Sequence, residues 1–71
     1  MKVIEVKPVR GGWKVFETRG VEPVFAGTDG RRQAIDYAKT RQGFSQGEIR
    51  ILNTADEIVE TIRYDDREKT L

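Results

Sequence analysis

The chain has no cysteine and no histidine. Without cysteine there is no disulfide, no thiol nucleophile and no thiolate metal site. Without histidine the commonest general base and the commonest transition-metal ligand are gone. Tryptophan and methionine each occur once, and proline twice, among 71 residues. No stretch approaches the ~20 apolar residues of a membrane-spanning helix. The opening residues Met1 to Lys7 carry charge at every second or third position, so no secretory leader is read there. One sign of charge does not dominate either. Thirteen Lys and Arg face twelve Asp and Glu, for a net charge of +1. No global field draws the molecule toward nucleic acid or anionic membrane. These absences point to a cytoplasmic protein with no cofactor and no metal.

What is present is enough for one small domain. A chain of this length buries only about 60% of its unfolded surface, so its core is thin. Hydrophobic residues make up 37% and charged residues 35%. The apolar ones are patterned. Thr28 to Gly43 reads as the one helix, with its core at Arg31 to Gln42. Ala34, Ile35, Tyr37 and Ala38 form a narrow i, i+3, i+4 stripe, and small alanines let a helix sit close to a sheet. Gly43 suits the left-handed turn after the last helical residue. Lys39 and Arg41 suit the negative end of the helix dipole. Thr28, Asp29 and Gly30 all compete for the capping position.

The rest alternates as strands do. Val3 to Val6 is a strand ended by Pro8, which has no N–H to give a ladder. Gly11-Gly12 is a hairpin turn. Trp13 to Thr18 is a second strand, and Val24 to Gly27 an extended connector or strand fragment. Phe44 to Gly47 is a linker. Glu48 to Asn53 and Ile58 to Tyr64 are strands around an Asn53–Glu57 turn. Residues 1–66 then form a single α+β domain, ββαββ, and residues 67–71 a frayed, charged tail. Two hairpins must share one sheet under the helix to bury anything. A right-handed crossover gives strand order 2-1-3-4, with four strands all antiparallel to their neighbours.

Gly11-Gly12-Trp13-Lys14-Val15, Asp29 ahead of Ala34 and Ala38, and the closing Thr61-Ile62-Arg63-Tyr64 form a recognisable series. Over about residues 3–66 it resembles the small bacterial proteins grouped as DUF2188. That family is a domain of unknown function with the same ββαββ reading, so the resemblance implies a fold and no chemistry. The chain departs from the family at Gly30, where members tend to carry a capping Thr, and in a longer loop between Gly20 and Gly27. The glycine-tryptophan strand followed by a helix is also similar to arm-binding domains of phage integrases and to HicB-like antitoxin domains. The two strands after the helix do not suit the arm-binding domains.

Catalysis finds little support in these residues. Asp56 with Glu57, Glu60, and Asp65-Asp66 are the acidic groupings, set in a turn, a strand and a tail. Nothing there makes a concave site that would shift a carboxylate pKa. Gly27-Thr28-Asp29-Gly30 lacks the lysine and spacing of a phosphate loop. No nucleophile–base pair is visible, so an enzyme is not expected. Trp13 is weighed between a core anchor, the favoured role in so thin a core, and a stacking platform for a base or peptide ring.

The sheet face turned from the helix is more informative. If Ile4, Val6, Trp13, Val15, Ile49, Ile51, Ile58 and Ile62 face the helix, the period of two puts the others outside. The candidate partner surface is then Val3, Lys14, Phe16, Arg50, Leu52, Val59 and Arg63. Contiguous apolar patches on small proteins mark partners. A homodimer through this face, or through an edge strand, is the expected form, with an unidentified protein as the other partner. The competing reading is a weak, salt-sensitive nucleic-acid module using Arg31, Arg32, Lys39 and Arg41 on the helix. The face reading predicts that Phe16→Glu turns an oligomer into folded monomers. Size exclusion with light scattering checks it, and a wild type that is already monomeric removes it.

Overall fold

The computed structural model describes residues 2–43 and 46–64, with no side-chain description at Tyr64. The expected linker positions Phe44 and Ser45, the Asp65-Asp66 pair and the tail at 67–71 lie outside the described residues. Five strands and one helix follow in the order β1 (Lys2–Val9), β2 (Gly12–Phe16), β3 (Val24–Ala26), α1 (Gly30–Gln42), β4 (Gly47–Leu52) and β5 (Ile58–Tyr64). They make an α+β fold with one five-stranded sheet, ordered β3-β2-β1-β4-β5.

The sheet is mixed, which corrects the expectation of four antiparallel strands. β1 and β4 pair in parallel, from Lys2↔Gly47 to Val6↔Ile51. The other pairs are antiparallel: β1 with β2, β2 with β3, and β4 with β5. The cause is β3. Val24–Ala26 turns back along β2, with Gly12 opposite Ala26 and Lys14 opposite Val24. That extra reversal sends the chain into the helix from the opposite end of the sheet. The helix therefore delivers β4 pointing the same way as β1. The four expected strands still lie side by side as β2-β1-β4-β5.

β1 also runs on through Pro8 to Val9, beyond its expected end, with Pro8 opposite Trp13. Its pairing with β4 stops at Val6. Past that point β1 has a neighbour on one side only, and a residue without an N–H fits there.

Ile4, Val6, Val15, Ile49 and Ile51 line the helix side of the sheet and are fully buried with Ala34 and Ala38. Trp13, Phe25, Ile35, Tyr37 and Ile62 pack around them. The buried helix row is Gly30, Ala34, Ala38 and Gln42, spaced by four. Small side chains at three of these four positions bring the helix down onto the sheet. Asp29 occupies the capping position without a side-chain cap bond, and Gly43 closes the helix at φ 58° with its N–H on the Lys39 carbonyl.

Gly30 has a steric reason. A Cβ there would run into the carbonyl oxygen of Phe25, and lie 3.4 Å from Cδ1 of Trp13. Gly12 meets the same carbonyl from the sheet side. Only residues without a Cβ let β3 pass so close.

Ile58 departs from the expected helix-facing set. It is 53% exposed. The β4–β5 register shifts between Ile51 and Leu52, so Ile51 pairs with Glu60 but Leu52 with Ile58. The extra residue in β5, Val59, breaks the period of two, and the face held by Ile62 does not carry through to Ile58.

Gly30→Ala tests the close approach. Helix propensity alone favours alanine by about 1 kcal/mol. Overpacking against a backbone carbonyl costs about 1–3 kcal/mol. The expected outcome is a lower midpoint of thermal unfolding, followed by circular dichroism; a higher midpoint would show that β3 gives way freely.

Candidate functional site

The outward sheet face can be built from the register. Phe16, Glu5, Arg50 and Thr61 lie in one cross-strand row. Val3, Glu48 and Arg63 form another. Lys14 stands opposite Lys7. Charge is therefore interleaved with the apolar residues. Phe16 at 36% exposure and half-buried Val3 lie toward the β2 side. Val59, 60% exposed, lies on β5 beyond Glu5 and Arg50. The candidate partner surface is thus divided and is not one apolar patch. Leu52 is only 5% exposed, so it offers almost nothing to a partner.

The cations of that face are held by carboxylates. Arg50 Nε donates to Glu48 Oε1 at 2.6 Å, and Arg63 Nε lies 3.7 Å from Glu48 Oε2. Lys14 Nζ donates to Glu22 at 3.0 Å, and Lys7 Nζ to Asp56 at 2.7 Å. The hydrogen bond to Asp56, with its charge, holds the Lys7 ammonium above its usual pKa. These partners keep two directly opposed lysines on neighbouring strands from repelling each other unchecked.

The four helix cations proposed for nucleic acid are treated similarly. Arg31 donates to Glu60 at 3.2 Å, and its guanidinium stands 5.8 Å over the Trp13 ring. Arg32 lies between Asp29 at 3.5 Å and Asp36 at 3.4 Å. Arg41 grips Glu17 with two nitrogens, at 2.6 and 3.1 Å. Lys39 has no ion partner among the described residues. Three of the four are thus engaged within the chain. Trp13 sits partly buried against the core, with Phe25 opposite it across β2 and β3. Phe25 in turn stacks at a tilt on Tyr37, with centroids 5.5 Å apart. Trp13 thus packs on the core while part of its ring stays exposed.

The turn acids are also occupied. Asn53 Nδ2 donates to Glu57, while Asn53 Oδ1 accepts from the backbone N–H groups of Ala55 and Glu57. Asp56 takes the left-handed conformation at φ 63°, which asparagine and aspartate tolerate better than most residues. Among the described residues no three His, Cys, Asp or Glu side chains gather as a metal site would require.

The β5 side of the sheet stands out by contrast. The helix packs across β2, β1, β3 and β4. It reaches β5 through the exposed Arg31–Glu60 pair. β5 is an edge strand with Ile58 and Val59 side by side and more than half exposed. Sequence reasoning included Val59 and missed Ile58, because the bulge that turns Ile58 outward leaves no mark in the residue pattern. The opposite edge, β3, is three residues long and follows Pro23. Short, proline-flanked edges resist pairing.

Glu17 supplies the clearest electrostatic junction. Its side chain is 11% exposed and holds both Arg41 and Lys2, the latter at 3.5 Å. Lys2 Nζ also donates to the Arg41 carbonyl at 2.7 Å. The end of the helix is thereby tied to β1 and to the end of β2. The Arg41 hydrogen bond, opposed by desolvation and aided by the charges of Arg41 and Lys2, lowers the Glu17 pKa. A lowered folded value means the junction contributes fully above the ordinary glutamate value of about 4.3. It is lost as pH falls through the lower folded value. Glu17→Gln should therefore reduce stability at neutral pH, by up to about 1 kcal/mol for a pair whose arginine is half exposed. Wild type and variant should converge in acid. Thermal unfolding of both across pH 2–7 reads this out; a gap that persists unchanged at the acid end would assign the effect to packing.

Comparison with family models, with curated proteins and with solved structures returned no match. The resemblance to DUF2188 rests on the residues quoted above, and no relative carries a function over to this chain.

Proposed function

We propose that this chain is a small, non-enzymatic accessory protein of the cytoplasm that works by binding protein along β5. One observation carries the reading: a seven-residue edge strand, at the rim of the helix footprint, begins with two adjacent, largely exposed β-branched residues. An edge strand presents a row of backbone donors and acceptors on its outer side. Strand addition uses those groups for affinity and the alternate side chains for selection. The outer sheet face supports the reading less well, because Glu5, Glu48, Arg50 and Arg63 interrupt its apolar residues. The nucleic-acid reading is weaker still, because Arg31, Arg32 and Arg41 already hold carboxylates.

Two substitutions separate the edge from the face. Val59→Lys places a charge on β5 at an exposed position, and Phe16→Glu does the same on the outer face near β2. Tagged wild type and both variants, checked for folding by circular dichroism, are presented to native lysate. Proteins retained by wild type should be lost with Val59→Lys and kept with Phe16→Glu. The reverse pattern, or indifference to both changes, overturns the β5 reading.

A further inference from the structure

We propose that Asp29 is a site of spontaneous backbone modification, converting through a cyclic imide to isoaspartate, and that the seam between β3 and α1 sets its rate. No residue of β5 takes part. Asp29-Gly30 is the one Asp-Gly pair in the sequence, and there is no Asn-Gly pair. In such a pair the glycine amide nitrogen attacks Cγ of the aspartate side chain. A Cγ–N bond forms, the carboxyl hydroxyl leaves as water with the amide proton, and a five-membered imide closes. Water then opens the imide at either carbonyl. One opening restores aspartate. The other leaves the backbone running through Cγ, longer by one methylene carbon. Water is the only co-reactant, and nothing is oxidised or reduced. Glycine favours the attack because it carries no Cβ to crowd the nitrogen and its backbone turns easily.

The packing itself demands this glycine. A Cβ at position 30 would run into the Phe25 carbonyl oxygen, so no bulkier residue shields the nitrogen. The carboxyl group has room to move. Asp29 makes no side-chain cap bond, its side chain is 67% exposed, and the Arg32 guanidinium stands 3.5 Å away. What holds the reaction back is the peptide unit between the two residues. Its C=O accepts from the Gln33 N–H at 2.9 Å, and its N–H donates to the Gly27 carbonyl at 3.1 Å. Asp29 has ψ 7°, which turns the Gly30 nitrogen well away from Cβ. Ring closure needs those two atoms nearly eclipsed, and because the peptide is planar only rotation of ψ brings them together. That rotation breaks both hydrogen bonds and pulls Gly30 off the Phe25 carbonyl.

The pair therefore reacts only while β3 and the first turn of α1 are parted. β3 is suited to such an opening. It is three residues long, lies at the edge of the sheet, and is flanked by Gly20 and Gly27 at φ 88° and 91°. Ring closure is far slower than a local opening, so its rate follows the open population. Once isoaspartate has formed, the added carbon lies where the seam has no space even for a Cβ.

The folded chain, incubated warm at neutral pH for weeks and then cut with trypsin, gives the test. Cleavage after Arg19 and Arg31 releases residues 20–31, in which Asp29 is the only aspartate. Isoaspartate should appear as a second peak of the same mass, resistant to an aspartate-directed protease, with the imide as a species lighter by one water. The same chain unfolded in urea should react about tenfold faster or more. Val24→Gly loosens β3 from an exposed position and should speed the reaction about fivefold. Phe25→Leu keeps an apolar side chain but loses the ring contact with Tyr37, and should also speed it. Thr61→Gly makes a matching change at an exposed position on the opposite edge and should leave the wild-type rate. Circular dichroism at the incubation temperature checks that each variant is folded. Asp29→Glu, whose imide would be six-membered, should give no second peak. Absence of isoaspartate at Asp29 in the folded chain overturns the site. A folded rate equal to that in urea, or equal acceleration by Thr61→Gly and the β3 variants, overturns control by the β3–α1 seam.

Discussion

Three elements of the fold come together at one backbone atom. The carbonyl oxygen of Phe25 lies against two residues without side chains, Gly12 on β2 and Gly30 at the start of α1. This approach lets a three-residue strand fit between the sheet and the helix entrance. Pairing is continued by the Val15 N–H, which donates to the Pro23 carbonyl at 2.9 Å. The rest of the topology depends on that insertion. It reverses the chain once more, brings the helix back along the sheet and makes the central β1–β4 pair parallel. It also sets Phe25 beneath Tyr37 and beside Trp13, so the thin core gains an aromatic layer on the β3 side.

Much of this was legible in the residues. Ala34 and Ala38 announced the buried helix row, and Gly43 its end. Alternation in Ile4-Val6, Trp13-Val15 and Ile49-Ile51 identified the sheet face that meets the helix. β3 was recognisable only as an extended fragment, because three residues are too few to show a period of two. Its pairing, and with it the direction of β4, depended on glycines whose role is steric and whose contact is remote in sequence. Ile58 was misplaced because a bulge changes parity without changing composition. The ion pairs were equally hidden. Glu17 and Arg41 are 24 positions apart, and nothing local relates them.

Electrostatics changes the meaning of the composition. The near balance of charges is expressed as specific pairs on both sides of the sheet. The helix that reads as basic is largely neutralised by Asp29, Asp36, Glu17 and Glu60. Exposed pairs of this kind contribute little stability each, about 0–1 kcal/mol. They also lower the positive charge that the helix would otherwise present. Among the described residues β5 stands out as an edge strand with exposed apolar residues at one end.

The parallel seam at the centre of the sheet also governs how the molecule reaches its native state. The β1–β2 and β4–β5 hairpins join residues that are near neighbours in the chain, so neither needs a long loop to close. The seam between β1 and β4 joins the beginning of the chain to a segment past the helix, and most of the sequence must be looped out before it closes. Such non-local pairing raises contact order and slows folding. Until the seam closes, β4 and β1 are themselves open edges, and this small protein has more places to pair wrongly while folding than it keeps afterward.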